Sequence, residues 1–333
     1  MLKNLTLEDI DGGIEFIDIG ASGGFPRGWQ WLLSFINYYA FEPNQDECER
    51  LSLEANAFNG AKYFPFAVAD KKGEATLYKT EDMFCYSLLE PNQPLLDRYT
   101  FGEKFRVSGQ QAMQTVRLQD VDELKGVDVD ILKVDSQGLD RRILEHGSDI
   151  LDRVFYVEVE PGFNETYKTE DTYAGLDTFL RERGFRLFEL TPHRVGRENA
   201  LAHAGEKHGE LIWAESVWMK DYVALEMSGR SPDLCRPKAL KTLLICGVEG
   251  RLDFGLELAQ WYAERGWITG DELASLSVES GWVLPTVDVT NDVQSHSGFL
   301  SGLLRLLPWS IRKKILNAAQ VAVEQPHAFK VSN

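Results

Sequence analysis

Apolar positions in the first two thirds of the chain fall into short runs, separated by stretches in which apolar residues recur at helical spacing. Residues 14–19, 35–41, 63–69, 127–134 and 154–159 read as strands. Residues 74–78 and 114–118 read as shorter strands beside a polar, aromatic loop, and 185–190 and 211–220 complete the set. Residues 46–58 read as a helix with Asn44 or Asp46 as its cap. The next helix, 139–151, carries Leu139, Ile143, Leu144 and Ile150 on its apolar side, and 173–183 is a third, stopped by Gly184. Alternation of this kind predicts a mostly parallel sheet covered on both faces. The last two strands are joined by a loop, not a helix, which predicts a final antiparallel hairpin.

A break at 228–238 contains Gly229, Pro232 and Pro237. Beyond it, 239–246, 252–265 and 270–276 read as short helices, and 288–297 as a polar loop. Residues 299–320 form a basic amphipathic element with Arg305, Arg312, Lys313 and Lys314 and no acid, interrupted at Pro308. Its apolar stripe suits packing on the main domain or on a second copy of the chain, or contact with an anionic membrane surface. The expected division is therefore a domain over 1–228 and a helical extension over 229–333.

Composition is that of an ordinary globular protein. A formal net charge of -17 argues against nucleic acid as a partner, because phosphate binding needs clustered Lys and Arg. Cys48, Cys85, Cys235 and Cys246 show no C-x-x-C spacing and read as free thiols of a reducing compartment. No signal peptide and no membrane span are read from the chain, so a cytoplasmic location is expected, with the inner face of a membrane as an extension of it.

The chemistry concentrates at strand ends. Asp18-Ile19-Gly20-Ala21-Ser22-Gly23-Gly24 joins a strand end to a glycine-rich turn, and Glu42 ends the next strand. The turn lets backbone approach a ligand, and an acid at Glu42 suits the hydroxyls of a ribose. A dinucleotide site wants a second glycine where Ser22 stands. The spacing Asp18-x-Gly20-x-Ser22-x-Gly24 is that of an S-adenosylmethionine site, and a turn without a ligand is the bland alternative. Asp135 and Glu160 also fall at strand ends, where ligands of such sheets bind.

Asp130-Ile131-Leu132-Lys133-Val134-Asp135-Ser136-Gln137-Gly138-Leu139-Asp140 resembles the Lys-hydrophobic-Asp-x-Glu/Gln-Gly block of the FkbM family of S-adenosylmethionine-dependent methyltransferases. Residues 115–121, Tyr86-Ser87-Leu88 and Val157-Glu158-Val159-Glu160 resemble its flanking elements, over about 13–221 in all. Gln137 and Asp140 stand where many members have Glu. The resemblance implies a class I, Rossmann-like methyltransferase fold: a mostly parallel seven-stranded sheet with an antiparallel last strand, here followed by the helical extension.

It also implies methyl transfer to a hydroxyl of a glycan or glycosylated metabolite. Asp18, Gly20, Ser22 and Gly24, with Ala21 in the same turn, would line the methionine end of S-adenosylmethionine. Glu42 would hold the ribose, Ala67 and Val68 would lie near adenine, and Ser87 would touch cofactor or acceptor. Asp135 would act as general base, with Glu160 and the loop residue His203 as rivals, and His193 beside them if that loop folds over the cleft. Carboxylates at Asp135, Glu158 and Glu160 suit magnesium, although no metal site is assigned. The rival reading is a degenerate cofactor-binding scaffold that recruits partners or membrane through its C-terminal helices.

Overall fold

A computed structural model describes residues 1–53, 58–199, 208–277 and 282. Part of the expected helix 46–58, the loop 288–297, the amphipathic element 299–320 and His203 lie outside the described residues.

The chain divides into two compact units. The larger, residues 11–25 and 34–234, is an α/β domain. Its elements are β1 (Ile14–Ile19), β2 (Ile36–Phe41), α1 (Gln45–Leu53), β3 (Gly60–Phe64), β4 (Ala67–Val68), β5 (Gly73–Thr80), α2 (Gln93–Leu96) and β6 (Val107–Val116). They continue with β7 (Ile131–Val134), α3 (Asp140–His146), α4 (Ser148–Leu151), β8 (Tyr156–Val159), α5 (Tyr173–Glu182), β9 (Phe185–Val195), β10 (Glu210–Lys220) and α6 (Tyr222–Met227). One seven-stranded sheet runs in the order β3-β2-β1-β7-β8-β10-β9, and a three-stranded sheet in the order β4-β6-β5. The contacts among β3, β2, β1, β7 and β8 are parallel, whereas β10 is antiparallel to both β8 and β9.

The core explains the runs. Central parallel strands are covered on both faces, so β1 and β7 are buried almost throughout. Ile17, Leu132, Val157 and Trp218 join Ile143, Leu144 and Leu180 in one core cluster. Leu139, Ile143, Leu144 and Ile150 are all buried, as the apolar stripe required. Their helix is nevertheless two pieces, because Gly147 interrupts it between α3 and α4. Gly184 adopts φ +88° after α5, a conformation that favours glycine, and a Cβ there would meet Leu225 Cδ2 at 2.5 Å.

The expected strand 63–69 is also two pieces. Residues 60–64 extend the large sheet, while Ala67 and Val68 pair with Thr115 and Val116 in the small one. Pro65 lies between them and cannot donate to a ladder.

The smaller unit gathers residues 1–10, 26–33 and 235 onward. Its helices are α7 (Arg236–Val248), α8 (Leu252–Glu264) and α9 (Gly270–Leu276). The Thr242 and Tyr262 hydroxyls share a buried hydrogen bond of 2.7 Å between α7 and α8. Arg236 pairs with Glu272 at 2.8 Å, and Thr269 and Glu272 form a capping box for α9. This differs from the expected division at 228/229. The boundary falls at Cys235, and two N-terminal segments belong with the helices. Their buried Leu2, Ile10, Trp29 and Leu32 are too sparse along the chain to signal a shared core.

One charge sits inside the large sheet. Asp18 is fully buried on β1, and the parallel register sets it between Ala40 of β2 and Lys133 of β7. Lys133 Nζ reaches Asp18 Oδ1 at 3.0 Å, and the Tyr38 hydroxyl donates to Oδ2 at 2.7 Å. Burial alone would pull the Lys133 ammonium down, but Asp18, then Asp135 and Glu158, outweigh it and hold it above its ordinary range. Truncating one partner leaves the other buried and unpaired. Lys133→Met should therefore cost about 3–5 kcal/mol in urea denaturation, and adding Asp18→Leu should recover most of that loss. A single-variant cost below about 1 kcal/mol would contradict this account of the pair.

Candidate active site

The strand ends open onto a cavity of about 460 Å³. From the β1–β2–β3 side come Gly20, Ser22, Glu42, Phe66, Ala67 and Val68. From the β7–β8–β10 side come Asp135, Gln137, Glu160 and Trp213. Loops add Ser87, Phe101, Phe105, Tyr167 and Glu170.

The glycine-rich turn is locked to both neighbouring strands. The N–H groups of Gly20 and Ala21 donate to Phe41 O at 2.9 and 3.1 Å, and Asp135 N–H donates to Ile19 O at 2.9 Å. Gly20 adopts φ +80°, and a Cβ there would lie 2.0 Å from Asp135 O. Only glycine lets these two strand ends approach so closely. Glu47, in the first turn of α1, accepts from Gly23 N–H at 3.1 Å and so ties the turn from outside.

The residues expected at a cofactor divide into two groups. Gly20, Ser22, Glu42, Ala67, Val68 and Ser87 line the cavity. Asp18, Ala21 and Gly24 do not. Asp18 is consumed by Lys133 and Tyr38 within the sheet, so the direct contact expected of it gives way to support of the strand ends. Ser87 lines the wall, but its hydroxyl donates to Gln137 O at 2.7 Å.

Glu42 is 5 % exposed at the end of β2. Burial pushes its carboxyl up to about 7. The Asn44 N–H, which donates to Oε1 at 2.7 Å, works against the shift, and Glu47 and Asp18 add to it. Glu160 is held well above the ordinary carboxylate range by burial, then by Asp135 and Glu215. Glu170 accepts from Thr166 Oγ1 at 2.7 Å and Tyr167 N–H at 2.9 Å, and burial pushes it up to about 6. Asp140, buried at the start of α3, is pushed up to about 7 by burial although it accepts from Ser136 N–H and Oγ–H at 2.9 and 2.6 Å. It thus holds the loop after β7.

Other expectations change. His193 belongs to β9, not to a loop, and its ring stacks on Trp213 with centroids 5.0 Å apart. It flanks a wall of the cavity and is not one of the lining residues. Glu158 lies within hydrogen-bond reach of the Tyr156 hydroxyl at 3.2 Å, and Asp135, Glu158 and Glu160 do not gather as ligands. Among the described residues no cluster of three or more His, Cys, Asp or Glu side chains is arranged to hold a metal ion. All four cysteines are free, and burial pushes the Cys85 thiol up to about 12, which removes it as a nucleophile at neutral pH. No described helix is long and apolar enough to cross a membrane. Tyr167, Glu170 and Trp213 escaped sequence reasoning, because no periodicity or spacing sets them apart from core residues.

Strand order and the site at the strand ends define a class I methyltransferase fold. A family model, the methyltransferase FkbM domain, matches residues 18–187, just over half of the chain. The chain belongs to this methyltransferase family. Two solved structures are similar to it. One is Sp1610 of Streptococcus pneumoniae, described as a candidate tRNA (m1A22) methyltransferase. It has 13% identity and a TM-score of 0.29, covering 81% of this chain and 90% of its own. The other is precorrin-6y C5,15-methyltransferase of Geobacter metallireducens, with 11% identity and a TM-score of 0.30, covering 65% of this chain and 85% of its own. No curated protein matches the chain.

The raised carboxyls have a thermodynamic consequence. Folded Glu42, Asp140 and Glu170 hold protons at pH values where the unfolded chain releases them. Their contribution to stability is complete below about pH 4 and is lost as pH rises through about 6 to 7. The ligand-free protein should therefore melt at a higher temperature at pH 5.5 than at pH 8, and Glu42→Gln should reduce that difference. A melting temperature that rises from pH 5.5 to 8 would contradict these assignments.

Proposed function

We propose that this chain transfers the methyl group of S-adenosylmethionine to a hydroxyl of a neutral, sugar-like acceptor. The observation that carries the reading is one cavity with the buried Glu42 carboxyl on one side of the Gly20 turn and Asp135 on the other.

The residues fit the cofactor. Its ribose offers two adjacent hydroxyl donors, and Glu42 is a buried acceptor at the end of β2. Phe66, Ala67 and Val68 offer an apolar surface for adenine. Gly20 and Ser22 bring backbone close to the cavity without bulk. A cationic methionine end is tolerated beside carboxylates, where a pyrophosphate would be repelled. When bound, the cofactor supplies a methyl group already activated on a sulfonium.

The chain then has to orient the acceptor and take its proton. Asp135 is the candidate base, since it ends β7 at the Gly20 turn. Glu160, held above the ordinary range by burial, keeps its proton at neutral pH and donates to an acceptor oxygen. Phe101, Phe105 and Trp213 supply aromatic faces for the C–H surface of a sugar ring. The lining cation Lys104 is paired with Asp82 at 3.1 Å, and this balance favours a neutral acceptor over an anionic one. His203 remains a rival base outside the described residues. A scaffold that binds the cofactor without turnover predicts the same binding and no transfer to any acceptor.

Calorimetric titration with S-adenosylhomocysteine tests the cofactor half. Affinity should rise about tenfold from pH 6 to 8 as Glu42 ionises through about 7. Glu42→Ala should bind about 10–100-fold more weakly and lose most of that pH dependence. Absence of binding by folded protein would sink the assignment.

Transfer of label from S-adenosylmethionine to a panel of neutral and uronic glycosides tests the other half. Asp135→Ala should lower transfer about 10²–10⁴-fold while changing S-adenosylhomocysteine affinity by less than about threefold. Activity within about tenfold of wild type would leave Asp135 without a role as base.

A further inference from the structure

Gln137 stands where the FkbM resemblance expects an acid in many members, and the structure gives its amide two partners of opposite kind. Nε2 donates to Asp135 Oδ1 at 2.8 Å. Oε1 accepts from the Tyr167 hydroxyl at 2.8 Å. We infer that Gln137 is a positioning residue for Asp135: Tyr167 and Ser87 clamp it from two loops so that its amide holds one carboxylate oxygen and leaves the other for the acceptor hydroxyl. This rests on the reading of Asp135 as the base.

The orientation of the amide follows from chemistry at both ends. A carboxylate oxygen only accepts, so the NH2 must face Asp135 and the carbonyl must face Tyr167. The phenol is 2 % exposed and has a single hydrogen, which Gln137 Oε1 shares with Cys85 O at 3.0 Å. Burial holds Tyr167 well above its ordinary range, so it remains a donor throughout the physiological range. The backbone is clamped as well. Gln137 adopts φ +55°, a left-handed conformation uncommon for a residue with a side chain. The Ser87 hydroxyl fixes it by donating to Gln137 O at 2.7 Å, and Ser87 Oγ in turn accepts from Leu89 N–H at 2.9 Å. Among the described residues, no other side chain donates a hydrogen bond to Asp135.

Charge explains why an amide serves here. Asp135 acts electrostatically on the Lys133 ammonium, the Glu160 and Asp140 carboxyls, the Tyr167 phenol and the Cys85 thiol. Lys133 is the cation of this set, and Asp18 already holds it at 3.0 Å. A glutamate at 137 would place a second carboxylate about 3 Å from Asp135 in this setting, and such a pair cannot both ionise cheaply. The amide delivers the same hydrogen-bond reach with no charge.

The test is a cycle on the full chain between positions 135 and 137: Gln137→Glu, Gln137→Met, Asp135→Asn and the exchange variant Asp135→Asn/Gln137→Glu. Thermal midpoints are read from pH 5.5 to 8.5, with methyl transfer measured over the same range. Gln137→Glu should melt about 3–6 °C below wild type at pH 8.5, and most of the gap should close at pH 5.5, where the two carboxyls share a proton. Gln137→Met, which removes the hydrogen bonds without adding charge, should show a gap that does not change with pH. The exchange variant should regain the wild-type midpoint at pH 8.5, because amide and carboxylate again face each other, and yet transfer methyl about 10²–10⁴-fold more slowly. In Gln137→Glu the acid limb of the activity profile should move up by at least about one pH unit.

A Gln137→Glu gap that is the same at every pH and indifferent to Asp135→Asn would overturn the clamp while leaving the function proposal untouched. Full activity in Asp135→Asn would remove the base, and the catalytic sense of the clamp with it, even if the midpoints remained coupled.

Discussion

The site rests on a buried ion pair two residues back from the reacting surface. Asp18 and Lys133 meet across β1 and β7 at 3.0 Å, with the Tyr38 hydroxyl on the second oxygen of Asp18. Buried charges are costly to misplace, so the pair tolerates one register between these strands. That register carries Gly20 and Asp135 to the same level, where a single Cβ on Gly20 would strike Asp135 O at 2.0 Å. It also brings Asp135 N–H to Ile19 O. The glycine turn and the candidate base are thus held by the sheet itself, not by the loops around the cavity.

Above the pair, burial sorts the acids of the cavity by what each can hydrogen-bond. Glu42 has the Asn44 N–H to receive it and titrates near neutrality, where a ligand's hydroxyls can tip it to the charged form. Glu160 has like charges beside it and keeps its proton. Asp135 receives an amide N–H from Gln137. Three acids of similar chemistry are thereby given different environments by their neighbours, and the proposed function assigns them different work: accepting from a ribose, donating to an acceptor, and taking a proton. The family assignment fixes methyl transfer as the class of reaction, and these environments support its direction toward a hydroxyl.

Much of this was legible in the sequence because strand ends announce themselves. Short, mostly apolar runs such as 35–41 and 127–134 fit central strands, and the residues that follow them, Glu42 and Asp135, fall at strand ends. Asp18 was legible as special but not in its task. A charge inside an apolar run signals either a ligand or a partner on the next strand, and only the register of β1 on β7 shows that Lys133 takes it. The split of 63–69 between two sheets, the return of residues 1–10 and 26–33 to the helical unit, and the place of His193 in β9 all depend on long-range pairing. Tyr167 and Glu170 were invisible for the same reason, since they reach the cavity from a loop without a motif.

The most direct measurement is a crystal structure of the protein with S-adenosylhomocysteine bound. The account predicts both ribose hydroxyls on Glu42, adenine against Phe66, Ala67 and Val68, and the sulfur turned toward Asp135. A ligand seated elsewhere, or one in this cavity with its ribose away from Glu42 and its sulfur away from Asp135, would contradict it.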